Sequence, residues 1–514
     1  MRYAKVVPDI QTRAIDGAFD YAIPPELEPR CLVGATVLVS FGHRDVVGYV
    51  TAVGDQPGEG VSPERVLPVA RVLAAPAFDE VGARLAEWMA AEYAAPRPAC
   101  LRLMMPPGQT MRVKREGGGE WQLVVERAQA VDDRWVSLTG EGRTYEPRAN
   151  ASRQRQVLAA LAAGPMRLAE LSALVPGASS VVSSLSRKGV VSVEHRRRVR
   201  GSDEGTSLSS ASAPRPERLT AGQVSALDAI ARAAEARAGD VVLVDGVTGS
   251  GKTEVYLDAI ERVRAQGRGA IVLVPEISLT AQTVGRFRSR FGDDVAILHS
   301  RLSTGERFDQ WDMVRTGAAH VVVGARSALF APLANVGLII VDEEHEGSYK
   351  QDQAPRYHAR DVAARLACER GAALVLGSAT PSLESLERCR VGSWRGSRWT
   401  RVEMPERPGA AVLPEVRVVD MRQQFAAKNG SVFSMVLSDA LLGVAKRREK
   451  AVLLLNRRGF ASFLMCRECG CVPTCEHCST ALTYHERTHS LMCHSCGRSW
   501  PVRAYPDPST KCPN

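Results

Sequence analysis

The stretch VVLVDGVTGSGKTEVYLDAIERV, residues 241–263, decides the fold. It opens on an apolar run ending in Asp245, the pattern of a strand covered on both faces. Gly246, Val247, Thr248, Gly249, Ser250, Gly251, Lys252 and Thr253 then fit G-x-x-x-x-G-K-[ST], and TEVYLDAIERV has the spacing of a helix. Strand, glycine loop and helix are the context this phosphate-binding motif requires. The glycines let backbone N–H groups approach phosphate oxygens, and the helix N-terminus adds positive potential. Lys252 is expected to reach the β- and γ-phosphates, and Thr253 to hold Mg²⁺ through its hydroxyl. The alternative is a glycine-rich turn that binds nothing; the flanking strand and helix argue against it.

Working outward, apolar runs alternate with helical patterns from Arg218 onward: AIVLVPE, VAILHS, HVVVGA, GLIIVDEEH and AALVLGSAT. That alternation predicts a parallel α/β sheet over 218–405. GLIIVDEEH ends a strand in acids. Asp342 is expected to coordinate Mg²⁺ directly or through water, and Glu343 to orient and deprotonate an attacking water. With Lys252 these are the expected catalytic residues. Two solvated acids after a buried strand are the alternative, but the phosphate loop and the acids together specify nucleotide hydrolysis better than either alone.

Upstream, residues 1–105 alternate short apolar runs with Gly and Pro, a small β-rich unit with a helix at about 78–93. Residues 106–200 hold strand-like pieces and then helix, turn, helix and a two-strand wing, a winged-helix module whose second helix can enter a major groove. Such modules also dock proteins. Six Lys/Arg against one acid, Glu194, between Arg187 and Arg200 favour DNA contact. Residues 201–217, rich in Ser, Gly and Pro, are expected to be a linker. Residues 406–463 begin another α/β segment, and 464–514 are rich in cysteine.

Of 12 cysteines, eight lie between Cys466 and Cys512. Cys466-x-x-Cys469, Cys475-x-x-Cys478 and Cys493-x-x-Cys496 have zinc spacing, and Cys512 begins a fourth pair where the sequence stops. Reduced thiols in a loop are the alternative, but so polar a segment needs metal to fold.

The 514 residues suggest about three to five domains of roughly 100–200 residues. Hydrophobic residues at 45% and charged residues at 24% exclude disorder throughout, collagen and coiled coil. No apolar run reaches the ~18 residues of a membrane span, and MRYAKVVPDIQTR lacks a signal-peptide core, so a cytoplasmic protein without a membrane partner is expected. The net charge of +9 fits a nucleic-acid partner without requiring one.

VDEEHEGSYKQDQAPRYHARDVA, GSATPSLES and LVPEISLTAQT resemble the superfamily 2 DNA helicases, and within them the replication-restart helicases of the PriA (primosomal protein N′) family. The resemblance covers nearly the whole chain. It implies a multidomain α/β protein: a β-rich 3′-end DNA-binding domain, a winged helix, a P-loop helicase lobe, and the start of a second lobe interrupted by a cysteine-rich zinc domain. It implies that Gln223 reads adenine, that Gly377-Ser378-Ala379-Thr380 links hydrolysis to DNA movement, and that an aromatic-rich loop senses single-stranded DNA. In that loop Tyr349, Tyr357 and His358 offer π-faces, and Lys350 and Arg356 offer charge. In the N-terminal unit it implies a pocket for a 3′ end: Phe19 stacks on the base, Asp20 accepts from a free 3′-hydroxyl, and Gly42 admits the backbone. A lysine usual in the family falls near Pro68 here. Two zincs are implied, one on Cys475, Cys478, Cys493 and Cys496. The other, on Cys466, Cys469 and Cys512, lacks a ligand for which Cys471, His485, His494 or water could substitute.

Leu455 through Phe460 match the opening motif of the second lobe, and its later, arginine-bearing motifs do not follow. Without such arginines phosphoryl transfer slows by roughly 10³–10⁵. The sequence is therefore expected to be either a fragment of a longer chain or a protein that cannot unwind DNA, and the broken cysteine pair at Cys512 favours a fragment. The activity expected of the whole is an ATP-dependent 3′→5′ helicase that binds forks and branched or single-stranded DNA, meets primosome proteins and single-stranded DNA-binding protein, and reloads the replisome. The alternative is a non-motor fork-binding scaffold that binds ATP without unwinding.

Overall fold

The computed structural model describes residues 2–10, 17–42, 44–115, 121–126, 128, 131–148, 150–200, 215–216, 218–408, 415–426, 431, 433–454 and 471–501. The chain divides into two compact units, residues 1–411 and 412–514. Leu455–Phe460, Cys466, Cys469, Cys512 and most of the expected linker lie outside the described residues.

The first unit opens with β1 (Arg2–Pro8), β2 (Phe19–Ile23), β3 (Thr36–Phe41), β4 (Arg44–Gly54) and β5 (Arg71–Ala74), an antiparallel sheet in the order β2-β1-β4-β3-β5. Its alternating residues Ala4, Val6, Tyr21, Ile23, Val37, Val39 and Val50 bury one core. Next come α1 (Glu80–Glu92), capped by Asp79 accepting from Gly82 N–H, and α2 (Arg97–Arg102). The hairpin β6 (Thr110–Arg115) and β7 (Trp121–Glu126) lays Met111, Val113 and Leu123 on Leu38, Val47 and Leu73 of the first sheet. The apolar alternation of this hairpin thus serves the N-terminal sheet.

Then follow β8 (Val131–Leu138), α3 (Ser152–Leu161), β9 (Met166–Arg167), α4 (Leu168–Leu174), α5 (Ala178–Arg187) and β10 (Val191–Arg198), with the three strands in the order β10-β8-β9. The expected two-strand wing is a single strand. Between Val191 and Arg198 there is no Gly, Pro, Asn or Asp to turn the chain, so β10 runs straight and pairs with β8, from Val191 opposite Leu138 to Arg198 opposite Val131. Two arginines of this basic run are engaged by a buried acid. Arg197 and Arg200 both bond Asp309, which is fully buried, and Arg196 pairs with Glu194 over the Trp135 ring.

The parallel sheet is built from α6 (Ala221–Ala236), β11 (Val241–Gly246), α7 (Lys252–Ala265), β12 (Gly269–Leu273), α8 (Ala281–Phe291), β13 (Val295–Leu298), α9 (Thr304–Arg315), β14 (Val321–Gly324), β15 (Val336–Asp342), α10 (Ala359–Arg370), β16 (Ala373–Ser378), α11 (Leu383–Val391), β17 (Ser393–Trp394) and β18 (Ser397–Met404). Its eight strands run β13-β14-β12-β15-β16-β11-β18-β17, parallel except for the last pair. Helices cover both faces, which is why the central strands read as unbroken Val, Ile and Leu. The N-terminal region is fastened to this sheet by Arg370 on Asp79 and Arg84 on Glu369.

In the second unit, α12 (Met421–Ala426) and α13 (Met435–Lys446), the latter capped by Ser434, precede β19 (Thr483–His485), β20 (Ser490–Met492) and β21 (Ser499–Pro501). No helix among the described residues is long and apolar enough to cross a membrane.

Candidate nucleotide site and metal centre

The order of the parallel sheet places β16 between β11 and β15, so the phosphate loop after β11 and the acids after β15 open on the same C-terminal edge. This is where parallel α/β sheets hold ligands. Gly249 and Gly251 take φ values of +84° and +85°, the left-handed conformation that glycine adopts without a side-chain clash. Lys252 is buried, and its Nζ donates to Gly246 O at 2.7 Å. Ser250 Oγ is buried with no hydrogen-bond partner among the described residues, a donor held in the loop.

Gln223 is also buried. Its side chain completes a capping box by accepting from Thr220 N–H, while Nε2 donates to Ser250 O at 3.0 Å. A Cβ at Gly251 would lie 2.3 Å from that Nε2. Gln223 therefore braces the loop and keeps one N–H and one lone pair beyond these bonds.

Asp342 ends β15. Its Oδ1 accepts from the Tyr256 hydroxyl at 2.9 Å. Burial pushes the Asp342 carboxyl up, the neighbouring Glu343 adds to this, and the Tyr256 hydrogen bond and Lys252 pull it back. Thr253, Tyr256 and Asp342 line one cavity of about 70 Å³. One hydroxyl and one carboxylate beside a phosphate loop are a donor set that fits Mg²⁺, which is held by few protein ligands and takes the rest from phosphates and water.

Glu343 sits at φ +48°, a left-handed conformation that costs a non-glycine residue about 1–3 kcal/mol. His345 Nδ1 lies 3.6 Å from Glu343 Oε2 and 2.7 Å from Ser378 Oγ, joining the acids to the Gly-Ser-Ala-Thr segment. Glu344 has a different place. It is buried and bonded by Arg360, Ser382 and Ser385. Burial is the largest influence on its carboxyl and raises it, but the Ser382 N–H and Arg360 outweigh that and leave it below the usual range.

The aromatic-rich loop corrects an expectation. Tyr349 and Tyr357, expected to offer π-faces, are 1% and 2% exposed. The Tyr349 hydroxyl donates to Asp342 O at 2.6 Å and Leu273 O at 3.1 Å, and Tyr357 stands edge-on to Phe330. Each ring is thus committed to the core. His358 caps α10 and is half-buried. Lys350 and Arg356 are exposed; Lys350 lies over the Tyr93 ring and donates to Arg356 O.

At the N-terminal sheet, Phe19 stands edge-on to Phe41, next to Gly42, with 4.9 Å between ring centroids. Phe19 is exposed, and among the described residues nothing beyond its chain neighbours lies within 4 Å of a Cβ placed at Gly42. The Asp20 carboxylate lies against Gly58, and Pro68 bridges to Ala22 on the same strand. A cavity of about 640 Å³ lined by Asp9, Tyr49 and Arg102 lies between this sheet and the hairpin; it holds none of the expected residues.

In the second unit, the sulfurs of Cys475, Cys478, Cys493 and Cys496 all lie within 4.8 Å of one another. Two similar turns make them converge. Cys475 N–H donates to Thr480 O and Cys493 N–H to Arg498 O, while Ser479 and Gly497 supply positive φ. The Thr480 hydroxyl lowers the Cys493 thiol to about 5, while Cys496 raises Cys478 to about 12, a split that a bound cation removes. Four thiolates on knuckles fit a closed, structural zinc site. Cys471, His485 and His494 stand outside this set, with the two imidazoles 5.3 Å apart.

Sequence reasoning missed Tyr256, Glu344 and Arg360. The signal for Tyr256 was its spacing, three residues after Thr253 on one helix face; Glu344 stood in the acid run without a role of its own, and nothing local marked Arg360.

The chain matches family models for the DEAD/DEAH box helicase over residues 220–389, the 3′DNA-binding domain over 5–106 and the PriA DNA helicase Cys-rich region domain over 475–501. It is 36% identical to the replication restart protein PriA of Bacillus subtilis (strain 168) over 98% of this chain and 68% of that one. To that of Synechocystis it is 33% identical, over 97% of this chain and 66% of the relative. The chain thus spans about two thirds of the length of these relatives. With the three matches falling on the N-terminal sheet, the parallel sheet and the four-thiol cluster, the chain belongs to the family of replication restart protein PriA.

Proposed function

We propose that the chain is the fork-binding and ATP-binding part of an ATP-dependent 3′→5′ DNA helicase that restarts replication at abandoned forks. The observation that carries this is the shared edge of the parallel sheet, where the phosphate loop, Asp342 and the Gly377–Thr380 segment are joined by Tyr256 and His345. In this reading Lys252 leaves the Gly246 carbonyl to hold the β- and γ-phosphates, and Thr253 and Asp342 hold Mg²⁺, which neutralises phosphate charge. Glu343, half-buried beside them, accepts the proton of the attacking water. Ser378, bonded to His345, relates the state of these acids to the segment expected to move DNA. Lys350 and Arg356 supply charge to a single strand. Tyr349 acts from beneath, through the Asp342 carbonyl, and Tyr357 supports the loop by packing on Phe330, rather than by stacking on bases.

Phe19, Asp20 and Gly42 are proposed to receive a 3′ end. Phe19 and Gly42 offer open surface, and Asp20 offers an acceptor for the terminal hydroxyl. Primosome proteins and single-stranded DNA-binding protein are proposed partners on the strength of the family. Nucleotide binding tests the site. Lys252→Ala should abolish ATP binding, and a variant that binds as tightly as the parent would refute the assignment. The second reading, a non-motor scaffold, predicts ATP binding with no fork-stimulated hydrolysis even when the remaining third of the relatives' length is supplied.

A further inference from the structure

We infer that Tyr256 is a positioning residue for Asp342: its phenol fixes one carboxylate oxygen and leaves the other for the cation of Mg·ATP. The inference rests on the nucleotide site proposed above. Tyr256 follows Thr253 by three residues on α7, so the two side chains share a helix face. Its ring is buried, and its hydroxyl donates to Asp342 Oδ1 at 2.9 Å. If the carboxylate swung away, that hydroxyl would be left buried without an acceptor, so the pair resists rotation.

Gly377 shows how closely the site is built around this contact. It stands opposite Asp342 in the β15–β16 register, and a Cβ there would lie 1.6 Å from the Tyr256 hydroxyl. The first glycine of Gly-Ser-Ala-Thr is therefore the space that admits the phenol. Its carbonyl also accepts from Glu344 N–H at 3.0 Å. Asp342 is thus held twice, by Tyr349 at its main-chain carbonyl and by Tyr256 at its side chain.

The test is binding of a fluorescent ATP analogue by the full chain across a range of Mg²⁺ concentrations. Loss of a group that orients a metal ligand typically weakens metal affinity ~10–100-fold. Tyr256→Phe should raise half-saturating Mg²⁺ by about that factor, with affinity at saturating Mg²⁺ equal to the parent's. Gly377→Ala should do the same by displacing the phenol, and the double variant should be no worse than either single one. If Gly377→Ala does not fold, Tyr256→Phe decides, because it removes one oxygen and adds no volume, whereas the methyl would meet a buried ring. An unchanged Mg²⁺ requirement, or a loss of affinity equal at every Mg²⁺ level, overturns the positioning role. A parent chain whose nucleotide affinity ignores Mg²⁺ overturns the reading of Asp342 itself, and the inference with it.

Discussion

Asp309 allows a magnitude to be worked from the structure. This wholly buried carboxylate on α9 accepts from Arg197 Nη2 at 2.8 Å and from Arg200 Nε, Nη2 and backbone N–H at 2.6, 3.2 and 3.0 Å. Removing one partner of a buried ion pair costs ~3–5 kcal/mol. The arginine side chains stay 30% and 28% exposed and can rehydrate, so the expected loss on Asp309→Ala is about 2–3 kcal/mol. A double-mutant cycle of Asp309→Ala with Arg200→Ala, read by urea unfolding of the full chain, should give a coupling of about 1.5–3 kcal/mol. The same pairing keeps Arg200 off DNA. Each phosphate neutralised adds ~0.9 to the slope of log affinity against log salt. Arg200→Ala should therefore leave the salt slope for duplex DNA unchanged. A coupling under ~0.5 kcal/mol, or a slope reduced by about one, would refute this reasoning.

A fork whose leading strand ends in 3′-OH should bind ~10–100-fold more tightly than one ending in 3′-phosphate near physiological salt, and Asp20→Ala should erase the difference; equal affinities in the parent would remove the 3′-end role. Because the folded Glu344 carboxyl lies below its ordinary 4.5, it adds stability above pH about 4.5 that is lost as pH falls through the folded value. Thermal unfolding followed from pH 7 downward should show a steeper acid loss in the parent than in Glu344→Gln. Metal analysis should find one tightly held zinc on Cys475, Cys478, Cys493 and Cys496, and stripping it should unfold β19–β21; a folded segment without metal would contradict the zinc assignment.

The parallel sheet, its loop and its acids were legible because their signals are local: an apolar run, then glycines or acids at fixed offsets. Four of the cysteines were legible for the same reason. What stayed hidden depends on partners far along the chain. Tyr349 and Tyr357 look like surface aromatics, yet the Tyr349 hydroxyl is shared between Asp342 O and Leu273 O, the latter 76 residues away, and Tyr357 packs on Phe330. Arg197 and Arg200 look like a DNA-binding run until Asp309 arrives from α9. The wing was misread because β10 takes its partner from β8, which precedes all three helices of the module. Tyr256 reads as an ordinary core aromatic, and only the β15–β16 register, which sets Gly377 beside Asp342, gives its hydroxyl a purpose.

Fork-stimulated ATP hydrolysis tests the central claim most directly, measured on this chain, on the chain extended to the relatives' full length, and on the extended chain carrying Lys252→Ala. The account predicts little hydrolysis by this chain, strong stimulation by forked DNA in the extended one, and none with Lys252→Ala. Hydrolysis in the extended chain that ignores DNA, or that survives Lys252→Ala, would contradict it.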